Sequence, residues 1–254
     1  MNIAVTRQVS DAMEKCELTH FERQAIDLSK ARMQHLAYEQ CLAELGCDVR
    51  SLPAEHDLPD SVFVEDTALV LDEAAIILRP GAESRMAETV SIAAVLSVFR
   101  TLFYITEPGT VDGGDVLRIG KSIYVGMSQR SNKAGAEQIR RLIKPFGYQV
   151  VDVDVKGCLH LKSAVTQVAE DTLLINKEWV DPLIFGSMKR IEIDPSEAYA
   201  ANALWVNGKV IYPASFPRTQ KKLEEEGIEL RIVDASELAK AEGALTCCSL
   251  IFRQ

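Results

Sequence analysis

The chain has 254 residues, 47% hydrophobic and 26% charged, which suits an ordinary globular protein able to bury a sizeable core. Its formal charge of −9 argues against nucleic acid, which needs clustered Lys and Arg, and makes a cation the better-matched charged ligand. The six cysteines show no CxxC pair and no Cys/His spacing suited to zinc, so neither a structural metal nor a disulfide framework is expected.

The N-terminus, Met-Asn-Ile-Ala-Val-Thr-Arg-Gln, has no basic segment followed by an apolar run. No later stretch has the length needed to cross a bilayer, so a cytoplasmic protein is expected. Residues 1–5 read as an apolar strand without a hairpin mate of its own. Met33, Ala37, Cys41 and Leu45 recur every four residues and predict a helix; Gly46 suits its left-handed cap, and residues 47–52 read as extended. A hairpin turning at Asp72-Glu73 comes next, then a weaker strand over 102–105. A second hairpin turns at Gly120-Lys121; Ile139, Leu142, Ile143 and Phe146 predict a helix that stops at Gly147 and continues as a strand over 148–153. The third hairpin turns at Glu170-Asp171 and precedes a weak strand over 191–193. The fourth turns at Asn207-Gly208, the strongest signal, because a type I′ turn needs positive φ at both central positions. A helix with Thr219 as N-cap then stops at Gly227 and continues as a strand over 228–233. Residues 249–252 are half a hairpin that ends the chain.

The recurring order is strand, strand, helix, strand, repeated five times at a period of about forty to fifty residues. Pairing the two terminal strands would complete the last unit and remove the exposed edges of an open array. The expected fold class is therefore α/β, a closed five-bladed propeller of ββαβ units, in one domain over residues 1–254. An ordinary α/β domain also alternates helix and strand, and the loops distinguish the two.

In such a ring, equivalent loops point to one end of the axis. They read PDSVFVED at 59–66, PGTVDGGD at 108–115, GCLHLK at 157–162, YAAN at 199–202 and EGALTCC at 242–248. Acid, imidazole and thiol converge there, as a cysteine nucleophile requires: a thiolate to attack, a histidine to move protons and a carboxylate to orient the imidazole. His35 falls in the first helix and His56 in a proline-flanked loop, whereas His160 sits at a strand start in the repeat. Glu65 and Asp66 suit a planar cation, since a guanidinium offers a fork of donors to carboxylates. In GTVDGGDVLRIG the glycines precede a strand with no Walker-type Lys, which sets phosphate binding aside.

Through PDSVFVEDTALV, RPGAESR, PGTVDGGDV, LHLKSAVT, YAANALWVN, YPASFPRT and LTCCSL, the chain resembles the dimethylarginine dimethylaminohydrolase family end to end. That family lies in the guanidine-modifying superfamily with the arginine deiminases, and the resemblance likewise implies a five-bladed α/β propeller. It implies hydrolysis of Nω-methylated L-arginine to L-citrulline and an alkylamine, with Cys247 as nucleophile, His160 as general acid and base, and Asp112 supporting the histidine. It further implies that Glu65 and Asp66 hold the guanidinium, that Arg85 and Arg130 face the α-carboxylate, that Asp60 lies near the α-amino group, and that Leu18 sits on a mobile lid. No cofactor and no metal are implied. The expected partner is a small cationic molecule, with neither nucleic acid nor membrane; a homodimer is compatible with this reading.

Two positions depart from the family pattern. Glu242 stands where Asp is common, in a loop associated with the substrate, and its extra methylene puts methyl-group preference in doubt. Asp112 stands where some members carry Glu. The alternatives are a deiminase-type hydrolase acting on unmethylated arginine or another guanidino compound, and a ribosome-binding propeller without catalysis. Alternation along a strand would turn Cys247 and Cys248 opposite ways, with Cys248 buried.

Overall fold

Fifteen strands form five separate three-stranded sheets in the computed structural model, which describes residues 1–254. β1 (Asn2–Arg7) pairs in parallel with β2 (Cys47–Leu52) across α1 (Leu28–Glu44). β3 (Ala68–Val70), β4 (Ala74–Ile77), α2 (Glu88–Leu96) and β5 (Thr101–Tyr104) form the second unit. β6 (Val116–Ile119), β7 (Ser122–Met127), α3 (Lys133–Ile143) and β8 (Gln149–Asp154) form the third. After the single turn α4 (Leu161–Ala164) come β9 (Val165–Ala169), β10 (Thr172–Ile175) and β11 (Lys189–Glu192). The fifth unit is β12 (Leu204–Val206), β13 (Lys209–Pro213), α5 (Pro217–Glu225) and β14 (Leu230–Val233). After the short α6 (Ser236–Ala239), β15 (Leu250–Arg253) returns to pair antiparallel with β1, from Val5↔Leu250 to Asn2↔Arg253. In each sheet the middle strand has one antiparallel and one parallel neighbour, so the architecture is a five-bladed α/β propeller whose two termini share a blade.

Local chemistry accounts for most of these boundaries. The four hairpins turn at the expected dipeptides, and Asn207 and Gly208 have φ of 50° and 83°, as a type I′ turn demands. The middle strands β4 and β10 are buried along their whole length, which is why they read as unbroken apolar runs. Core packing lies between neighbouring blades and their helices, as where Ile3 and Val5 meet Val64, Ala75, Ile92 and Leu96. No helix is long and apolar enough to cross a membrane.

Three local expectations are corrected. On α1 the buried face is Ala31, His35, Tyr38 and Leu42, while Met33 is 65% exposed. The helix phase follows Tyr38, whose ring fills the core and whose hydroxyl lies 2.6 Å from Ser249 Oγ, rather than the smaller apolar residues. Thr219 is not the N-cap of α5: Phe216 is, because Pro217 has no N–H to lose and a pre-set φ. Thr219 instead accepts the Asp194 amide at 2.9 Å. The fourth unit has no crossover α-helix. Between β10 and β11 there is only the 3₁₀ turn Pro182–Phe185, opened by Pro182 and closed by Gly186, because the connection is too short for more.

Asn207 also joins blades, accepting from Asn2 Nδ2 at 2.9 Å and donating to the Leu45 carbonyl at 2.7 Å. Asn207→Ala should lower stability by about 2 kcal/mol in urea unfolding, and Asn207→Gly by about half as much, because glycine restores the left-handed backbone without the two hydrogen bonds.

Candidate active site

A tight turn meets the propeller axis just before the first strand of each unit. Val64–Thr67 precedes β3 and carries Asp66; Gly113–Asp115 precedes β6 and follows Asp112. His160 is the N-cap of α4, and Thr246–Cys248 precedes β15. The turns interlock because Gly113 and Gly114 have no side chain. A Cβ on Gly113 would lie 1.8 Å from the Glu65 carbonyl, and one on Gly114 would lie 2.5 Å from His160 Nδ1.

Asp60, Asp66, Arg85, Arg130, His160, Glu242 and Cys247 line one narrow cleft, together with Glu17, Phe63, Leu159, Ala241 and Gly243. Asp112 lies behind it, fully buried. Its Oδ2 is 3.1 Å from His160 Nε2, and its Oδ1 accepts the Gly81 amide at 2.7 Å. Asp66 accepts the Gly114 amide at 2.8 Å on Oδ1 and pairs with Arg85 Nη1 at 2.6 Å on Oδ2.

These carboxylates decide the resting charges. Burial alone would lower the pKa of His160, but Asp66, the Asp112 hydrogen bond and Asp115 outweigh it and raise it to about 9. Burial, then Glu65 and Asp66, push Cys247 up to about 12. Burial would likewise raise Asp66, but Arg85 and His160 hold it below the usual carboxylate range. At neutral pH an imidazolium therefore shares the cleft with a neutral thiol. Asp66, Asp112 and His160 bring potential metal-ligand atoms within 4.8 Å of one another, yet the carboxylates are already committed to Arg85, backbone amides and a protonated imidazole. That is a donor set for a cation held by charge more than for a metal.

Other expected residues sit differently. Glu65 turns away from the cleft into a second cavity beside Gly113 and Thr246, where it pairs with Lys162 at 2.5 Å and accepts from Thr246 Oγ1 at 2.9 Å. Neighbours on a 3₁₀ turn point about a third of a turn apart, so Glu65 and Asp66 do not form one fork. Arg85 is enclosed: it pairs with Asp66 and Glu88 and donates to the carbonyls of Asp60 and Phe63. Arg130 is freer, donating to Thr19 Oγ1 at 3.0 Å and standing 3.8 Å from Asp112. Asp60 accepts the Glu17 amide at 3.0 Å. Leu18 packs half-buried against the hydrophobic core outside the cleft lining, and the Glu242 carboxylate accepts amides of the segment that carries it. Cys247 and Cys248 do lie in different surroundings, but on a 3₁₀ turn instead of a strand. Cys247 borders the cleft, while Cys248 is fully buried with Sγ 3.5 Å from the Ala244 carbonyl.

Sequence reasoning missed Asp115. Its Oδ2 accepts both Ser128 Oγ and Ser131 Oγ at 2.6 Å and its Oδ1 the Leu161 amide at 2.9 Å, so one carboxylate anchors the backbone beside His160 and the loop that carries Arg130. Burial pushes it up to about 6. In DGGD it reads as a turn former, and its partners lie too far along the chain to mark it as more.

The comparisons agree with this geometry. The family model "N,N dimethylarginine dimethylhydrolase, eukaryotic" matches residues 4–184. The chain is 39% identical to the N(G),N(G)-dimethylarginine dimethylaminohydrolase of Streptomyces coelicolor over 253 residues, covering 99% of this chain and 97% of that one. It is 40% identical to the protein of the same name from Pseudomonas aeruginosa over 228 residues, covering 89% and 90%. The solved structure of a Cys-to-Ser variant of the Pseudomonas aeruginosa enzyme, complexed with citrulline, superposes with a TM-score of 0.94 at 37% identity, covering 98% of both chains.

Arg85→Ala should lower stability by about 3–5 kcal/mol in chemical denaturation, because it strands the buried Asp66 and Glu88 without their partner. Arg130→Ala, at the edge of the cleft, should cost less than about 1.5 kcal/mol.

Proposed function

This chain belongs to the dimethylarginine dimethylaminohydrolase family, and from that premise we propose that it hydrolyses Nω-methylated L-arginine to L-citrulline and an alkylamine, with Cys247, His160 and Asp112 as the reacting set. The observation that carries this reading is the His160–Asp112 pair in the cleft that Cys247 and Asp66 line.

The resting thiol is neutral, and the substrate changes that. A guanidinium seated beside Asp66 puts positive charge next to Cys247 and offsets the effect of Glu65, Asp66 and burial, which favours the thiolate. The thiolate attacks the guanidinium carbon. As the carbon–nitrogen bond breaks, the His160 imidazolium donates its proton to the departing dimethylamine, leaving a thiouronium on Cys247 and a neutral imidazole. That imidazole takes a proton from water, whose oxygen adds to the same carbon. The carbon–sulfur bond then breaks with sulfur leaving as thiolate, the hydroxyl proton passes to solvent, where the released amine becomes an ammonium ion, and the ureido product is citrulline. Asp112 keeps the ring oriented throughout.

Arg130, the more accessible of the two arginines, takes the α-carboxylate, with Arg85 adding charge from behind; Asp60 takes the α-amino group. Glu65, held by Lys162 and Thr246, acts on Cys247 through its charge and not by contact with the guanidinium. Residues 1–254 act as one catalytic unit in the cytoplasm, a setting that suits six unpaired cysteines.

Citrulline release should be faster from asymmetric dimethylarginine than from arginine when the two are assayed side by side; the reverse preference would assign the deiminase-type reaction. Cys247→Ser should cut turnover by at least ~10³-fold. The productive pair is a thiolate with an imidazolium, so below the His160 pKa of about 9 one proton must leave the resting pair. kcat/KM should therefore climb about tenfold per pH unit and level off near pH 9; a profile flat between roughly pH 6 and 8 contradicts this protonation scheme.

A further inference from the structure

Residues 16–27 contain no helix or strand, and the part from Glu17 to Phe21 is tied across the rim of the cleft by polar contacts. The Glu17 amide donates to Asp60 Oδ2 at 3.0 Å, and Ser84 Oγ donates to Glu17 Oε1 at 2.6 Å. Arg130 donates to Thr19 Oγ1 at 3.0 Å. The densest tie is the Glu242 carboxylate, which accepts the successive amides of Thr19 at 3.0 Å, His20 at 2.5 Å and Phe21 at 2.6 Å. Consecutive backbone N–H groups converging on one anion form a strong, charge-assisted arrangement.

The backbone at Glu242 is built for this reach. Its φ of 56° is left-handed, a conformation that costs a non-glycine residue energy and persists where surrounding structure enforces it. The adjoining Ala241 and Gly243 line the same cleft as Cys247, so one short loop both borders the nucleophile and grips the rim segment.

We infer that Glu242 is a latch that holds residues 17–21 closed over the cleft, a positioning residue and not a contact to the reacting guanidinium. As a kinetic device this rests on the hydrolase reading. Two of the other ties are made by Asp60 and Arg130, the groups that turn to the amino-acid end of the substrate in that reading. Once substrate takes them, the segment is held mainly by Glu242, and its release governs entry and exit. Reach matters as much as charge: Asp at this position would retract the carboxylate by about one carbon–carbon bond, ~1.5 Å, beyond what hydrogen bonds of this length tolerate.

The test is amide hydrogen exchange at residues 19–21 of the full-length protein without substrate, in wild type, Glu242→Gln and Glu242→Asp, alongside steady-state kinetics with asymmetric dimethylarginine. Exchange at the three amides should accelerate at least ~30-fold in both variants while β7 stays protected, KM should rise about tenfold, and kcat should stay within about threefold of wild type. Unchanged exchange at 19–21 overturns the latch, and unchanged exchange with a fall in kcat reassigns Glu242 to direct substrate contact. The exchange measurement needs no turnover. If wild type releases no citrulline the hydrolase reading fails, while the latch still stands or falls on the three amides.

Discussion

A protonated imidazole buried among carboxylates is the constraint on which the rest of the site depends. Taking ions out of water costs several kcal/mol each, and a buried charge is tolerable only when its neighbours are charged and hydrogen-bonded in turn. His160 is balanced by Asp66, Asp112 and Asp115; Asp66 is balanced by Arg85, and Arg85 by Glu88. Asp112 is held by the Gly81 amide, Asp115 by two serine hydroxyls and the Leu161 amide. Each member therefore fixes the next, and the glycines at 113 and 114 let the turns come close enough for the set to exist.

The propeller is the frame that makes such a cluster affordable. Five like units place a turn of the same kind at one end of the axis, and each turn contributes one or two polar side chains without spending core volume. The apolar residues stay between blades, where Ile3, Val5 and Leu250 seal the shared first-and-last blade against the second. The antiparallel register of β1 with β15 brings Cys247, near the end of the chain, to the turns carrying Asp66 and His160. Glu65 and Lys162 pair between the cleft and the second cavity on the axis.

The same charges that steady the histidine suppress the thiol. Burial, then Glu65 and Asp66, keep the Cys247 thiol protonated, and the same carboxylates suit the cleft to a cation. The rim segment complements this arrangement. Asp60 and Arg130 line the cleft and also hold the rim segment, through the Glu17 amide and Thr19 Oγ1, so under the proposed reaction closure and ligand binding would draw on the same groups.

By itself, the sequence determined the features set by local backbone chemistry. The hairpin dipeptides and the left-handed glycines at 46, 147 and 227 were legible because turn chemistry acts over a few bonds, whereas the pairing of the terminal strands and the convergence of Asp66, Asp112, His160 and Cys247 were legible only because the unit repeats around a ring. Whatever depends on contacts through space was decided only by the tertiary structure. The phase of α1 followed the buried ring of Tyr38 in place of the recurring small apolar residues, and the fourth unit lost its helix to a short connection. Of the adjacent acids Glu65 and Asp66, only Asp66 lines the cleft, because a 3₁₀ turn separates their directions, although the charges of both act on the Cys247 thiol. Arg85, which the resemblance sets at the substrate's α-carboxylate, lines the cleft while paired with Asp66 and Glu88, an enclosure the sequence did not show. Asp115 and Glu242 owe their importance to donors distant in sequence, Ser128, Ser131 and Leu161 for one and Thr19, His20 and Phe21 for the other. A hydrogen bond across 221 residues leaves no local pattern to read, and it exists only once the ring has closed.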